Sequence, residues 1–204
     1  MITKKTFLFM LIIFIFLTNV SSLASNQLKR TSLDEMSLLS PVHWSQYKNI
    51  NEITSQLNEL PNFEKVIYLA KDEQYIEKYY QALETENMQD VYHYFPSSFF
   101  IALEKHNANT DLNSLKELMD YTLENLELQI ENEGGTFDVI KKNIMYNKPH
   151  DLKGYYVEYK TGLITNLLVL FGKDNNLVTF MGLTTKDNVI YDFKVINQNL
   201  IFNF

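Results

Sequence analysis

Hydrophobic and polar positions divide the chain into a leader, a polar arm and a patterned body. An unbroken apolar run from Phe7 to Leu17 follows Lys4 and Lys5, and small polar residues then extend from Thr18 to Ser25. This is the layout of a secretory signal peptide over residues 1–24, with Ala24 as the cleavage residue and an uncleaved anchor as the alternative. As a helix the run from Phe7 to Leu17 spans only about 16 Å, well short of the roughly 30 Å hydrocarbon core of a bilayer. Residues 25–62 are polar and mixed, punctuated by Pro41 and Pro61. Within them Ile53, Leu57 and Leu60 recur at helical spacing, which predicts a short amphipathic helix over 51–60. The stretch before it reads as an arm lying on the body, with Trp44 large enough to anchor it.

The body, residues 63–204, opens with helical periodicity. From Lys65 onward Leu69, Ile76, Tyr79 or Tyr80, and Leu83 recur with charged residues between them, which predicts an amphipathic helix. After Asn87 to Phe95, the sequence Pro96-Ser97-Ser98 caps a new start, and Phe99 to Leu103 reads as a short apolar helix ending near His106. Leu115, Leu118, Met119, Thr122, Leu126 and Ile130 then line one face of a further helix, which Gly134-Gly135 terminates. Its N-terminus carries Ser114-x-x-Glu117, the spacing of a capping box, with Thr110 and Asp111 as alternative caps.

Beyond Gly135 the period changes from about 3.6 to 2. The segments 136–146, 155–161, 163–171, 177–184 and 189–196 are rich in aromatic and β-branched residues and are separated by short turns. Connections of that length predict antiparallel hairpins, because parallel strands need long crossovers. In the last segment Val189, Tyr191, Phe193 and Val195 share one face, opposite Asp192 and Lys194. The segment 163–171 is apolar on both faces apart from Thr165 and Asn166, which makes it a central strand covered on both sides. Its second cover must be the arm, residues 25–60, or a second subunit in a homodimer.

Composition narrows the classes. Hydrophobic residues make 46% of the chain and charged residues 21%, which is a globular composition. Removing Lys4 and Lys5 with the leader leaves 16 basic against 25 acidic residues, a charge of −9. Such a surface repels nucleic acid and anionic membranes, so neither is expected as a partner once the leader is cleaved. The absence of Cys excludes disulfides, thiol catalysis and thiolate metal sites. An exported chain, periplasmic or secreted, follows from the leader.

Helices followed by an antiparallel meander define an α+β fold. The run Tyr79-Tyr80-Gln-Ala82-Leu83, the following Met88-Gln-Asp-Val91-Tyr-His-Tyr94-Phe95-Pro96, the helix from Leu112 to Ile130, and the pair Leu167–Phe171 and Val189–Phe193 together resemble the nuclear transport factor two-like, or cystatin-like, superfamily. The resemblance covers about residues 66–197. It implies N-terminal helices packed on a curved, cone-like antiparallel sheet around a pocket, in a family that includes isomerases, dehydratases, carriers and binding modules.

Candidate chemistry is sparse. His43, His93, His106 and His150 lack the close spacing of a metal site, and nucleophile elbows, phosphate loops and dinucleotide fingerprints are missing, so no metal and no cofactor is expected. His93 lies between Tyr92 and Tyr94 where the resemblance implies the mouth of the cone, which makes it the catalytic candidate. Asp138 and Glu158 lie on strands without matching a catalytic branch of the family. The 13 Tyr and 14 Phe supply aromatic area and polar handles. Tyr79, Tyr92, His93, Tyr121, Tyr159 and Tyr191 are the candidate ligand-binding residues. The expected function is a non-catalytic exported module for a small apolar ligand or a protein partner, such as an inhibitor or immunity protein. The alternative is an isomerase- or dehydratase-like enzyme using His93.

Overall fold

The computed structural model describes residues 28–33, 36–41, 44–46, 63–70, 76–95, 97–105 and 110–202. The leader and the helix expected over 51–60 lie outside these residues, as do His43 and His106. Strands β1 (Leu28–Leu33), β2 (Met36–Pro41), β3 (Ser45–Gln46) and β4 (Phe63–Ala70) come first, followed by helices α1 (Ile76–Glu84) and α2 (Met88–His93). Strand β5 (Ser98–Lys105) and helix α3 (Leu112–Asn132) lead into β6 (Phe137–Asn147), β7 (Leu152–Thr161), β8 (Ile164–Lys173) and β9 (Asn176–Thr184). Helix α4 (Asp187–Gln198) and β10 (Ile201–Phe202) complete the described chain. The main sheet has seven antiparallel strands in the order β3-β4-β5-β9-β8-β7-β6, and β1, β2 and β10 form a small second sheet. The α+β class expected from the pattern is the class found.

Turn chemistry sets the register of the meander. Thr161 pairs with Ile164 across Gly162-Leu163, and Gly162 has φ +61°, the pattern of a type II′ hairpin turn. Asp174 and Asn175, both left-handed, close β8 onto β9 as the Asn/Asp-rich type I′ turn does. Helix α3 starts where the Asp111 carboxylate accepts the Ser114 N–H at 2.8 Å, so Asp111 is the cap. It ends where Gly134 turns left-handed at φ +78° and the Gly135 N–H reaches the Ile130 carbonyl at 2.9 Å.

Three predicted elements differ. The segment expected to begin a helix at Lys65 is strand β4, paired with β5 from Lys65↔Leu103 to Ala70↔Ser98, and the helix starts only at Ile76. Val66, Ile67 and Tyr68 favour that outcome, since β-branched and aromatic residues fit a pleated surface. Phe99 to Leu103 is not a helix but the middle of β5, flanked by β4 and β9. Its apolar run carries no period that separates a buried strand from a buried helix. Residues 189–196 are helix α4 rather than a last strand. Its buried residues Val189, Ile190, Phe193, Ile196 and Asn197 form a helical stripe, while Tyr191 is 71% exposed.

These changes place helices on both faces of the sheet. On one face Leu115, Met119 and Leu123 of α3, with Tyr79 of α1 and Val91 of α2, cover Val157, Leu168, Leu170 and Met181. On the other, Val189, Ile190, Phe193 and Ile196 of α4 cover Leu167, Val169, Phe171, Val178 and Phe180. Each such burial contributes roughly 1.5–3 kcal/mol. Strand β8 is buried on both faces, as its composition required. The second cover is α4 together with Met36, Leu38 and Trp44 of the arm, so that face needs no second subunit. Trp44 is fully buried, 5.2 Å from the Phe99 ring and 5.7 Å from Phe193, and its Nε1 donates to Asp192 Oδ2 at 3.4 Å.

Candidate functional site

The β7–β8 hairpin carries a concavity on each side of its turn. Successive residues of a strand point to opposite faces, and the register pairs Tyr159 with Asn166 and Lys160 with Thr165. Tyr159 and Asn166 therefore face the α1–α3 side, and Lys160 and Thr165 the other. On the first side lies a cavity of about 280 Å³, bounded by Met88, Val91, Tyr92 and Phe95 from the α2 region, by Leu126, Gln129 and Ile130 of α3, and by Tyr159, Thr161, Ile164, Asn166, Met181 and Leu183 of the sheet. No lining residue is charged. On the second side lies an open groove of about 800 Å³ lined by Asp90, Tyr92, His93, Tyr94, Lys160, Thr165, Lys186 and Asp187, among others. Tyr92 borders both.

Local hydrogen bonds fix this geometry. Asn87 caps α2, its Oδ1 accepting the Asp90 N–H at 3.3 Å and its Nδ2 donating to Asp90 Oδ2 at 2.9 Å. Thr185 Oγ1 donates to the Tyr92 carbonyl at 3.3 Å, tying the end of α2 to the segment that enters α4. Asn166 Nδ2 is shared among the Tyr159 carbonyl at 3.4 Å, Thr161 Oγ1 at 3.2 Å and the Ile164 carbonyl at 3.3 Å, which brace the hairpin from inside.

Tyr159 is 1% exposed, and its ring lies against Phe137 with centroids 5.1 Å apart. Burial pushes its phenol well above the ordinary tyrosine range, so it remains a neutral hydroxyl at any physiological pH. The Tyr159 side chain lines the cavity, so a hydroxyl that faces it is available to water or to a ligand there.

The candidate residues separate sharply. Tyr92 and Tyr159 line the cavity, and His93 lines the groove, exposed, with its ring edge-on to Tyr94 at 4.7 Å. Tyr79 is a fully buried core residue, edge-on to Phe95 at 6.1 Å, and borders neither concavity. Tyr121 and Tyr191 stand exposed on α3 and α4, away from both. Asp138 is exposed, and Glu158 is paired with Lys194 at 2.6 Å. Asn166 was not among the candidates. Its signal was a polar residue inside an otherwise apolar strand.

No protein-family model matches the chain, and no curated protein matches it. Among solved structures, the solution structure of cyanobacterial PsbP (CyanoP) from Synechocystis sp. PCC 6803 is similar, with a TM-score of 0.54 and 11% identity over 90% of this chain and 97% of that one. A Bacteroides thetaiotaomicron VPI-5482 protein aligns with a TM-score of 0.39 and 11% identity over 83% of this chain and 46% of that one. A protein of unknown function from Pseudomonas aeruginosa aligns with a TM-score of 0.39 and 14% identity, over 81% and 88% of the two chains. The likeness to CyanoP is one of fold alone.

Proposed function

We propose that the protein is an exported, non-catalytic binding module that takes a small apolar ligand into the cavity between α2, the C-terminal half of α3 and strands β7 to β9. The observation that carries this reading is the cavity itself, whose walls are mostly apolar with the Tyr159 and Asn166 side chains among a few polar ones. Ligand pockets are mostly apolar with a few polar groups that fix orientation, and this lining has that balance. Its volume of about 280 Å³ compares with the roughly 150 Å³ of an engineered apolar cavity that accepts benzene. The occupant is thus a compact ring or a short branched chain. In this proposal the cavity stands where the resemblance to the nuclear transport factor two-like superfamily implies a helix-plugged pocket on a curved, cone-like sheet. His93 has no part in it, because its ring lies in the groove outside.

Methyl-labelled methionine tests the reading. Met88 and Met181 border the cavity, whereas Met36 and Met145 lie in the core of the opposite face. Titration with toluene is expected to move the Met88 and Met181 methyl resonances saturably and to leave Met36 and Met145 in place. Export is tested apart from binding, by the mass of the protein recovered outside the cytoplasm, with residues 1–24 removed. Absence of a saturable change at Met181 overturns the binding reading.

A further inference from the structure

Resting on that reading, we infer that the ligand is neutral and presents a hydrogen-bond acceptor and a donor side by side on one polar edge, as a lactam, a cyclic imide or an un-ionised carboxyl does. The lining supplies the complement from a single cross-strand pair. Tyr159 and Asn166 sit directly opposite each other in the β7–β8 register, so both side chains rise from one spot on the cavity floor. Both are almost wholly buried, at 1% and 2% exposure. The Asn166 amide nitrogen is committed to the hairpin, which leaves its Oδ1 as the acceptor it can offer the cavity. The Tyr159 hydroxyl, a neutral phenol, can donate there. One wall thus offers one acceptor and one donor.

Charge on the ligand is excluded by the same wall. No lining side chain is ionised, and an unpaired charge moved from water into such a site loses far more solvation than two neutral hydrogen bonds return. A purely apolar ligand would fill the volume but displace water from both polar atoms without replacing its hydrogen bonds. A ligand with an acceptor alone would replace that bond at Tyr159 and not at Asn166. The combination of donor and acceptor answers both.

The experiment uses the full chain and the methionine methyl signals with four probes: δ-valerolactam, its N-methyl derivative, toluene and cyclohexanecarboxylate. The lactam is expected to bind about tenfold or more tightly than the N-methyl lactam, since methylation strands the Asn166 acceptor in a buried site. The carboxylate anion is expected not to bind at neutral pH. In Tyr159→Phe, which keeps the ring and its packing, the advantage of lactam over toluene should shrink by about tenfold. Equal affinity for lactam and N-methyl lactam, or binding of the anion as tight as that of the lactam, overturns the inference while toluene binding preserves the general reading. Failure of all four probes overturns both. The comparison of lactams on the unaltered protein stands even if the variant does not fold.

Discussion

At the scale of single residues, polar side chains tie the end of α4 to the turn between β6 and β7. The buried Asn147 donates from Nδ2 to the carbonyls of Asn197 at 2.9 Å and Leu200 at 2.8 Å, and its Oδ1 accepts the His150 N–H at 3.2 Å. Replacing it with Ala strands two carbonyls, so Asn147→Ala should lower the unfolding free energy by about 3 kcal/mol, read from urea denaturation. His150 continues the tie. Its Nε2 accepts the Phe202 N–H at 3.0 Å, and its ring stacks on Phe202 at 4.1 Å. Burial, with a smaller contribution from Lys173, holds its pKa below the ordinary 6.5. The unfolded chain therefore takes up a proton near 6.5 that the folded chain accepts only at lower pH. The stabilisation is complete above 6.5 and is lost as pH falls from there through the folded value. Urea midpoints should decline across that window, and His150→Gln should decline less than the parent. Equal pH dependence in the two proteins would refute the assignment.

At the scale of elements, the seating of α4 depends on Gly182 in β9. A Cβ at that position would lie 2.6 Å from the Phe193 ring, which is itself edge-on to Phe180 at 5.7 Å and wholly buried. Gly182→Ala must push the helix off the sheet, at a cost of roughly 1–3 kcal/mol, and a larger residue should cost more. Thermal melting of the two variants checks the order. The same contact explains why α4 was illegible. Val189 and Phe193 fit both a strand period and a helix period, and a Val-, Ile-, Tyr- and Phe-rich segment has strand propensity; packing of Phe193 against Gly182 on the sheet face decides for a helix. Strands β6 to β9 were legible because their turns are written in Gly162 and Asp174-Asn175, and α3 because its periodicity is long and capped. Strands β4 and β5 were missed because Phe99 to Leu103 is buried all round. Of the site, Tyr92 and Tyr159 could be named from sequence as aromatic handles. Asn166 could not, since its role depends on a register with Tyr159 that only the folded hairpin sets.

At the scale of the whole molecule, the sheet has a free edge at β6. That strand pairs only with β7 among the described strands, and Val139, Ile140, Ile144 and Tyr146 along it are exposed. An apolar edge of this kind invites pairing with another chain, and bulges and lysines are the usual deterrents. Both are present, as the register shifts between Val139 and Lys141, and Lys141 and Lys142 follow, the latter bridged to Asp120 at 2.6 Å. Lys141→Val should raise the sedimentation mass or the rate of aggregation relative to the parent, and an unchanged profile would mean that the edge is protected otherwise. The small sheet carries a different consequence. Strand β2, at residues 36–41, lies between β1 and β10, at residues 201–202, so the first hairpin and the last described strand share one sheet. Contacts spanning that much chain form late, because the loop they close is long. The face made by Leu167, Val169 and Phe180 is covered in full only when α4 and Phe202 have joined Met36, Leu38 and Trp44 on it, so closing the small sheet and sealing that face belong to one late step of folding.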